Sequence, residues 1–226
     1  MLRGGNIDEL SALLQRYVLR ARVGIRRLVD VEAVGTTDSG ELAAVFGSVP
    51  HGFRFGVAAT QTALALPGEP ARWVILRDRS NDVEPAPESD PASWQLADIR
   101  AGLPRLSLAL YEQMLPSWLG LRRLGAVSVT KGCYPGQEIV SRMHFKGGSS
   151  RSLYRIETPT ASAPAPGTRI RTDTARHENA GQIVMAVATG DGRCEALASL
   201  LDARADGPLA CDTAQPTPIA VREHFA

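Results

Sequence analysis

The chain has 226 residues, 44% hydrophobic and 22% charged, which is enough apolar material for one large domain or two small ones with their own cores. Twenty-five basic residues meet 24 acidic ones for a net charge of +1, so there is no strong field to draw the chain onto nucleic acid or an anionic membrane. The pairs Arg26-Arg27 and Arg122-Arg123 are too small for a nucleic-acid footprint, and neither nucleic acid nor membrane is expected as a direct partner.

Three cysteines, Cys133, Cys194 and Cys211, occur without a CxxC. An odd, scattered set argues against a disulfide framework and for a reducing compartment, so a cytoplasmic location is expected. The stretch Met1–Leu10 carries Asp8 and Glu9 and lacks the apolar core of a signal peptide. No apolar run approaches the length of a membrane span. The basic residues are nearly all arginine; Lys131 and Lys146 are the only lysines. In a chain that otherwise uses Arg, a lysine hints that a compact ammonium is wanted at that place.

In chain order, residues 6–20 read as an amphipathic helix with Leu10, Leu13, Leu14, Tyr17 and Val18 on one face, and Asn6 and Glu9 resemble a capping box. Val23 to Val34 reads as a strand. Ser39 to Phe46 is a short helix closed by Gly47. Phe55 to Leu66 and Arg72 to Leu76 read as a hairpin around Pro67-Gly68. Residues 79–91 are acidic and Pro-rich, hence a loop or linker. Pro91 opens a second helix with Ser89 or Asp90 as cap and Gly102 just past its end.

Residues 107–121 are apolar and expected to be buried, with an interruption at Pro116. Ala126 to Val129 reads as a short strand, and Tyr134 to Arg142 as a helix with Pro135 in its first turn. After Gly147-Gly148-Ser149-Ser150 the texture changes to strands at Leu153–Glu157, Thr168–Thr172, Gln182–Ala188 and Cys194–Leu200, which suggests a small barrel or sandwich. The boundary is placed near residue 149.

The chemistry concentrates at Lys131-Gly132-Cys133-Tyr134-Pro135-Gly136-Gln137-Glu138. With a helix starting near Tyr134 or Pro135, Cys133 would sit at or just before a helix N-terminus, where unpaired N–H groups and the helix dipole favour thiolate; Lys131 would add a positive charge. Gln137 can reach back to cap the helix, and Glu138 is placed for an i,i+4 pair with Arg142. The plainer alternative is a small buried cysteine, with Gln137 and Glu138 as solvated helix residues. His51, His144, His177 and His224 are widely spaced and form no metal motif, and GxSxG, P-loop and GxGxxG patterns are absent.

These eight residues resemble the Lys-Gly-Cys-(Tyr/Phe)-x-Gly-Gln-Glu signature of the YgfZ-type folate-binding proteins, relatives of the glycine-cleavage T-protein, with Arg142 matching a downstream Arg. Flanking segments agree. Trp94 through Pro104 resembles the family's Trp-containing helix that ends in Ala-Gly-x-Pro. Leu115-Pro116 and Leu124-Gly125 match its approach to the signature, Gly147 to Arg151 its passage into the barrel, and Leu14 to Val23 a helix-to-strand step.

The resemblance implies an α+β fold: a truncated ferredoxin-like, T-protein-type body over residues 1–148 and a small C-terminal β-barrel over 149–226. The body is expected to be truncated because the family's opening strands have no counterpart before Asn6. It further implies a tetrahydrofolate-binding accessory protein that supports the assembly or repair of iron–sulfur enzymes, including one that modifies tRNA. Its partners would be folate and iron–sulfur client or assembly proteins. By position, Cys133 and Lys131 are the functional pair. Trp94, Tyr134, Gln137, Glu138, Arg142 and Asp98 fall on the folate side.

The family's helix usually carries a pterin-recognising Glu where this chain has Arg100, and Asp98 is the neighbouring acid that could substitute. Polar residues usual after the family's Pro are replaced by Ser117 and Gly120. The alternatives are a folate-dependent aminomethyl transferase of the T-protein kind, and a structural remnant that binds no ligand.

Overall fold

The computed structural model describes residues 7–18, 22–28, 30–51, 55–58, 61–79, 90–145, 150–173 and 176–225. By its contacts the chain divides into two units, Met1–Pro87 and Glu88–Ala226.

The first unit begins with α1 (Ile7–Gln15), shorter than the expected 6–20 and continued only by single turns through Val18. β1 (Val31–Thr36) follows. The expected Val23–Val34 strand therefore starts eight residues late, because its hydrogen-bonding partner β4 (Arg72–Asp78) runs out at Asp78, opposite Val31. α2 (Ser39–Phe46) has the expected bounds: the Asp38 carboxylate accepts the N–H groups of Gly40 at 2.8 Å and Glu41 at 3.2 Å.

The run Phe55–Leu66, read as one strand, is two: β2 (Phe55–Ala58) and β3 (Gln61–Leu66), paired antiparallel with each other. The sheet order is β1-β4-β3-β2, antiparallel throughout. Leu42 of α2 packs with Ala63, Ala65, Trp73 and Ile75 on one sheet face, which gives this unit a core of its own. Trp73 keeps its indole satisfied by donating to the Pro50 carbonyl at 2.7 Å.

The second unit opens with α3 (Pro91–Arg100). Asp90 is its cap, accepting from the amides of Ala92 at 3.0 Å and Ser93 at 3.2 Å; Ser89 lies outside the described residues. At the other end Arg123 donates to the carbonyls of Ala101 at 3.1 Å and Gly102 at 2.9 Å, so a side chain satisfies the open helix end. The Arg123 guanidinium also lies over the Phe225 ring, 4.9 Å from its centroid. Gly102 has φ +61, and a Cβ there would lie 2.6 Å from Arg123 and 2.7 Å from Phe225. The Ala-Gly-x-Pro sequence thus answers to a close approach that only glycine permits.

Residues 107–121 form two 3₁₀ turns, Leu108–Leu110 and Pro116–Leu119. Leu110 and Leu119 are buried as expected, but Leu108 and Tyr111 face out. The expected strand at Ala126–Val129 is irregular coil, and α4 is Gln137–Phe145.

Six strands then close a barrel: β5 (Arg151–Thr158), β6 (Arg169–Thr172), β7 (Asn179–Ala188), β8 (Cys194–Leu201), β9 (Leu209–Cys211) and β10 (Thr217–Phe225), in the order β10-β5-β8-β7-β6-β9. It is a barrel and not a sandwich. β9 and β10 were not expected, and closure abolishes free edges here.

The alternation along β8 divides two cores. Ala196, Ala198 and Leu200 join Tyr154, Ile156 and Ile170 in one cluster, while Leu197 joins Leu153, Ile99 of α3 and Phe225 in the other. Gly181 allows β7 and β8 to approach: a Cβ there would sit 2.1 Å from the Ser199 carbonyl oxygen. The barrel strands begin at Arg151, close to the boundary read near 149, but residues 88–150 share one unit with them because α3 and the 3₁₀ turns pack directly on β5, β7 and β8.

Candidate functional site

The signature folds back on itself before α4 begins. The Ser128 hydroxyl accepts the amides of Thr130 at 3.3 Å and Lys131 at 3.2 Å, a side-chain-closed turn that sets up the loop. The Tyr134 hydroxyl donates to the Ser128 carbonyl at 3.0 Å, and the Lys131 ammonium lies 4.7 Å from the centroid of the Tyr134 ring. That distance is within cation–π range. Tyr134 therefore anchors both ends of the turn, holding the lysine over its face and the backbone at its tip. Two of the expected site residues, Lys131 and Tyr134, are brought together in this way.

Gln137 caps as expected: its Oε1 accepts the Tyr134 N–H at 3.2 Å. Glu138 and Arg142 make the expected i,i+4 pair at 2.8 Å, with both side chains largely in water. Such a pair stabilises the helix by about 0.3–0.5 kcal/mol.

One expectation is corrected. α4 starts at Gln137 and not at Tyr134 or Pro135, since Gly136 takes φ +81, outside helical space. Cys133 is thus four positions before the helix, beyond the short reach of its dipole. What the structure offers the thiol is exposure: Cys133 is exposed, whereas Cys194 and Cys211 are buried. Burial pushes both of those thiols up. Among the described residues no cluster of His, Cys, Asp and Glu could hold a metal.

Beside the loop lies a groove of about 410 Å³. Leu115, Pro116, Val127, Pro135, Ile139 and Val140 supply its apolar wall, with Ser128, Lys131 and Tyr134 as its polar members. Reading the sequence did not single out the wall. The pattern Ser128-x-Thr130 was the signal available for the turn, because Ser hydroxyls commonly close such turns on the backbone.

The structure does not bring Trp94 or Asp98 to this groove. Both lie on α3, which packs on β7 and β8; Gln95 of the same helix donates to the Ala186 carbonyl at 2.9 Å. Trp94 is half-buried. The Asp98 side chain is wholly buried and paired with Arg105. Arg100 clamps Glu195 on β8, with Nε 3.1 Å from one carboxylate oxygen, and Arg155 reaches the other oxygen at 3.1 Å. Lys146 lies outside the described residues, as does Gly147-Gly148-Ser149.

Tetrahydrofolate asks for an aromatic face and for acceptors along the pterin edge. Trp94 fits the first demand. Asp98, held by Arg105, and Arg100, committed to Glu195, do not supply the second from α3.

No protein-family model matches the chain. It is 28% identical over 198 residues to the tRNA-modifying protein YgfZ of Cronobacter sakazakii (strain ATCC BAA-894), covering 82% of this chain and 60% of that protein. It is 26% identical over 200 residues to the protein of the same name from Yersinia pestis (strain Pestoides F), with the same coverage of each. The chain therefore spans 60% of the length of these curated relatives. Among solved structures it is similar to the glycine cleavage system aminomethyltransferase T of Bartonella henselae, with TM-score 0.63 and 12% identity, covering 97% of this chain and 65% of that one. The curated homologues of this chain are thus tRNA-modifying proteins of the YgfZ type, and its fold is that of the glycine-cleavage T-protein.

Proposed function

We propose that the chain is a tetrahydrofolate-binding accessory protein that supports iron–sulfur enzymes, including those that modify tRNA, through Cys133. The observation that carries this reading is the signature loop. It holds an exposed thiol between a lysine stacked on Tyr134 and a capped helix, while the other two thiols are buried in the barrel unit. An exposed thiol is accessible to another molecule; a buried packing cysteine is not. The names of the relatives supply the link to tRNA modification, and the T-protein fold supplies the link to folate.

In this reading Lys131 and Cys133 act at the partner or substrate, and the Trp94 ring takes a planar face of the folate. Tyr134, Gln137, Glu138 and Arg142 keep the loop and α4 in position. The barrel strands between Arg151 and Phe225 are the body against which α3 is held. The place of action is the cytoplasm. Folate, when bound, supplies a one-carbon carrier; the side chains of α3 supply a surface for its ring.

The decisive test is complementation in a strain lacking its own homologue. Cys133→Ala is expected to abolish rescue while leaving stability unchanged, and full rescue by this variant would refute the role of the thiol. Titration with tetrahydrofolate, followed by Trp fluorescence in the wild type and in Trp94→Phe, is expected to saturate; no saturable binding would leave the fold without its ligand. The second reading, an aminomethyl transferase, is favoured only by the fold, and formation of methylene-tetrahydrofolate from an aminomethyl donor would establish it.

A further inference from the structure

The groove beside the signature loop has a lining of unusual economy. Its wall is aliphatic and prolyl, and two of its three polar side chains are already engaged. The Ser128 hydroxyl is taken by two backbone amides, and the Tyr134 hydroxyl by a carbonyl. The Lys131 ammonium is different: its described contact is a ring face, and no described carboxylate pairs with it. A ring face leaves the hydrogen-bond donors of an ammonium unspent.

From this we infer that the groove is a binding site for a small amphipathic monocarboxylate, whose apolar body lies along the wall and whose carboxylate meets Lys131. The volume of about 410 Å³ is in the range of small-molecule sites. A phosphate fits the site less well, since its extra charge calls for an Arg fork or several backbone donors, and the groove presents one ammonium. A pteridine fits less well again, because its edge is dense in donors and acceptors and the wall would leave them unpaired. The site is therefore separate from the ring-stacking surface proposed at Trp94 and does not rest on folate binding. The sequence points the same way: Lys131 is one of two lysines in the chain.

The test uses the full chain and three probes: phenylbutyrate, its neutral amide phenylbutanamide, and hydroxymethylpterin. Binding is followed by amide proton–nitrogen NMR spectra. Phenylbutyrate is expected to shift the resonances of residues 126–140 saturably, with the amide about fivefold weaker, as for a partly exposed ion pair. Lys131→Gln is expected to erase the preference for the acid. Ile139→Glu, at an exposed position of the wall, is expected to weaken the acid more than the amide. Equal binding of acid and amide would overturn the inference, as would shifts from the pterin at these residues, or no saturable shift from phenylbutyrate. Because tetrahydrofolate is not a probe here, failure of this site and failure of folate binding are read separately.

Discussion

The clamp on Glu195 lends itself to a quantitative test. Its side chain is 6% exposed and held by Arg100 and Arg155, whose side chains are 53% and 23% exposed. Burial raises the Glu195 pKa, but the hydrogen bonds from Arg100 and Arg155 outweigh it, and the net shift is downward from the ordinary value of 4.5. Removing one partner of a fully buried pair costs about 3–5 kcal/mol. Here both cations keep access to water, so Glu195→Ala is expected to cost about 2–3 kcal/mol. Arg100→Met keeps the apolar stem and removes a half-exposed charge, for about 1 kcal/mol.

Urea unfolding followed by circular dichroism measures both, and the double mutant gives the coupling. The pH dependence follows from the depressed folded pKa. The stabilisation is complete above the unfolded pKa and is lost as pH falls through the folded one. The difference between wild type and Glu195→Gln should therefore be full at neutral pH and shrink on acidification. The reasoning is refuted if Glu195→Ala costs under about 1 kcal/mol, or if the gap to Glu195→Gln widens as pH falls.

Gly181→Ala forces a Cβ to 2.1 Å from a backbone oxygen and 2.9 Å from Leu200, so β7 and β8 must part; a loss of about 3 kcal/mol or more is expected in thermal melts of the second unit. Ellman's reagent should find one fast thiol in the native protein and three after denaturation, and Cys133→Ala should remove the fast one. The same substitution should move stability by less than about 0.5 kcal/mol, as for an exposed site without structural contacts. Tyr154, buried and hydrogen-bonded to Asp202, has its phenol pushed up to about 12. Ultraviolet titration should show a phenol that ionises late, and Tyr154→Phe should remove that late step.

Local chemistry made some elements legible in the sequence and hid others. Gly47 and Asp90 announce their helices, the one as a left-handed stop just past α2 and the other as the cap before α3. The barrel strands that are mostly apolar, such as β8, are equally plain. β10 was hidden because Pro218 lacks an N–H and Arg222-Glu223-His224 are polar. The structure accommodates both: β10 pairs there with β9 on one side only, β5 joining from Ala220 onward, and Arg222, Glu223 and His224 all stay exposed around a register shift. The signature was legible as a motif, while the true helix start was not. Pro135 reads as a first helical residue, and only the tertiary contacts of Tyr134 show the chain still turning at Gly136. Arg100 looked like a lost pterin contact in the sequence; its partner Glu195 lies 95 positions away, beyond any local pattern.

Phe225 carries a consequence for timing. Its ring fills the space beside Gly102, and its backbone oxygen lies 3.5 Å from where a Cβ on Gly120 would be. A ribosome releases Gly102 more than a hundred residues before Phe225, since 225 − 102 = 123. Until β10 emerges, the outer faces of β5 and β8 and the inner face of α3 lack the piece that seals them. The second unit is therefore built to finish late, with Ile99, Leu153 and Leu197 uncovered meanwhile. A nascent chain of this design has reason to engage a chaperone during synthesis.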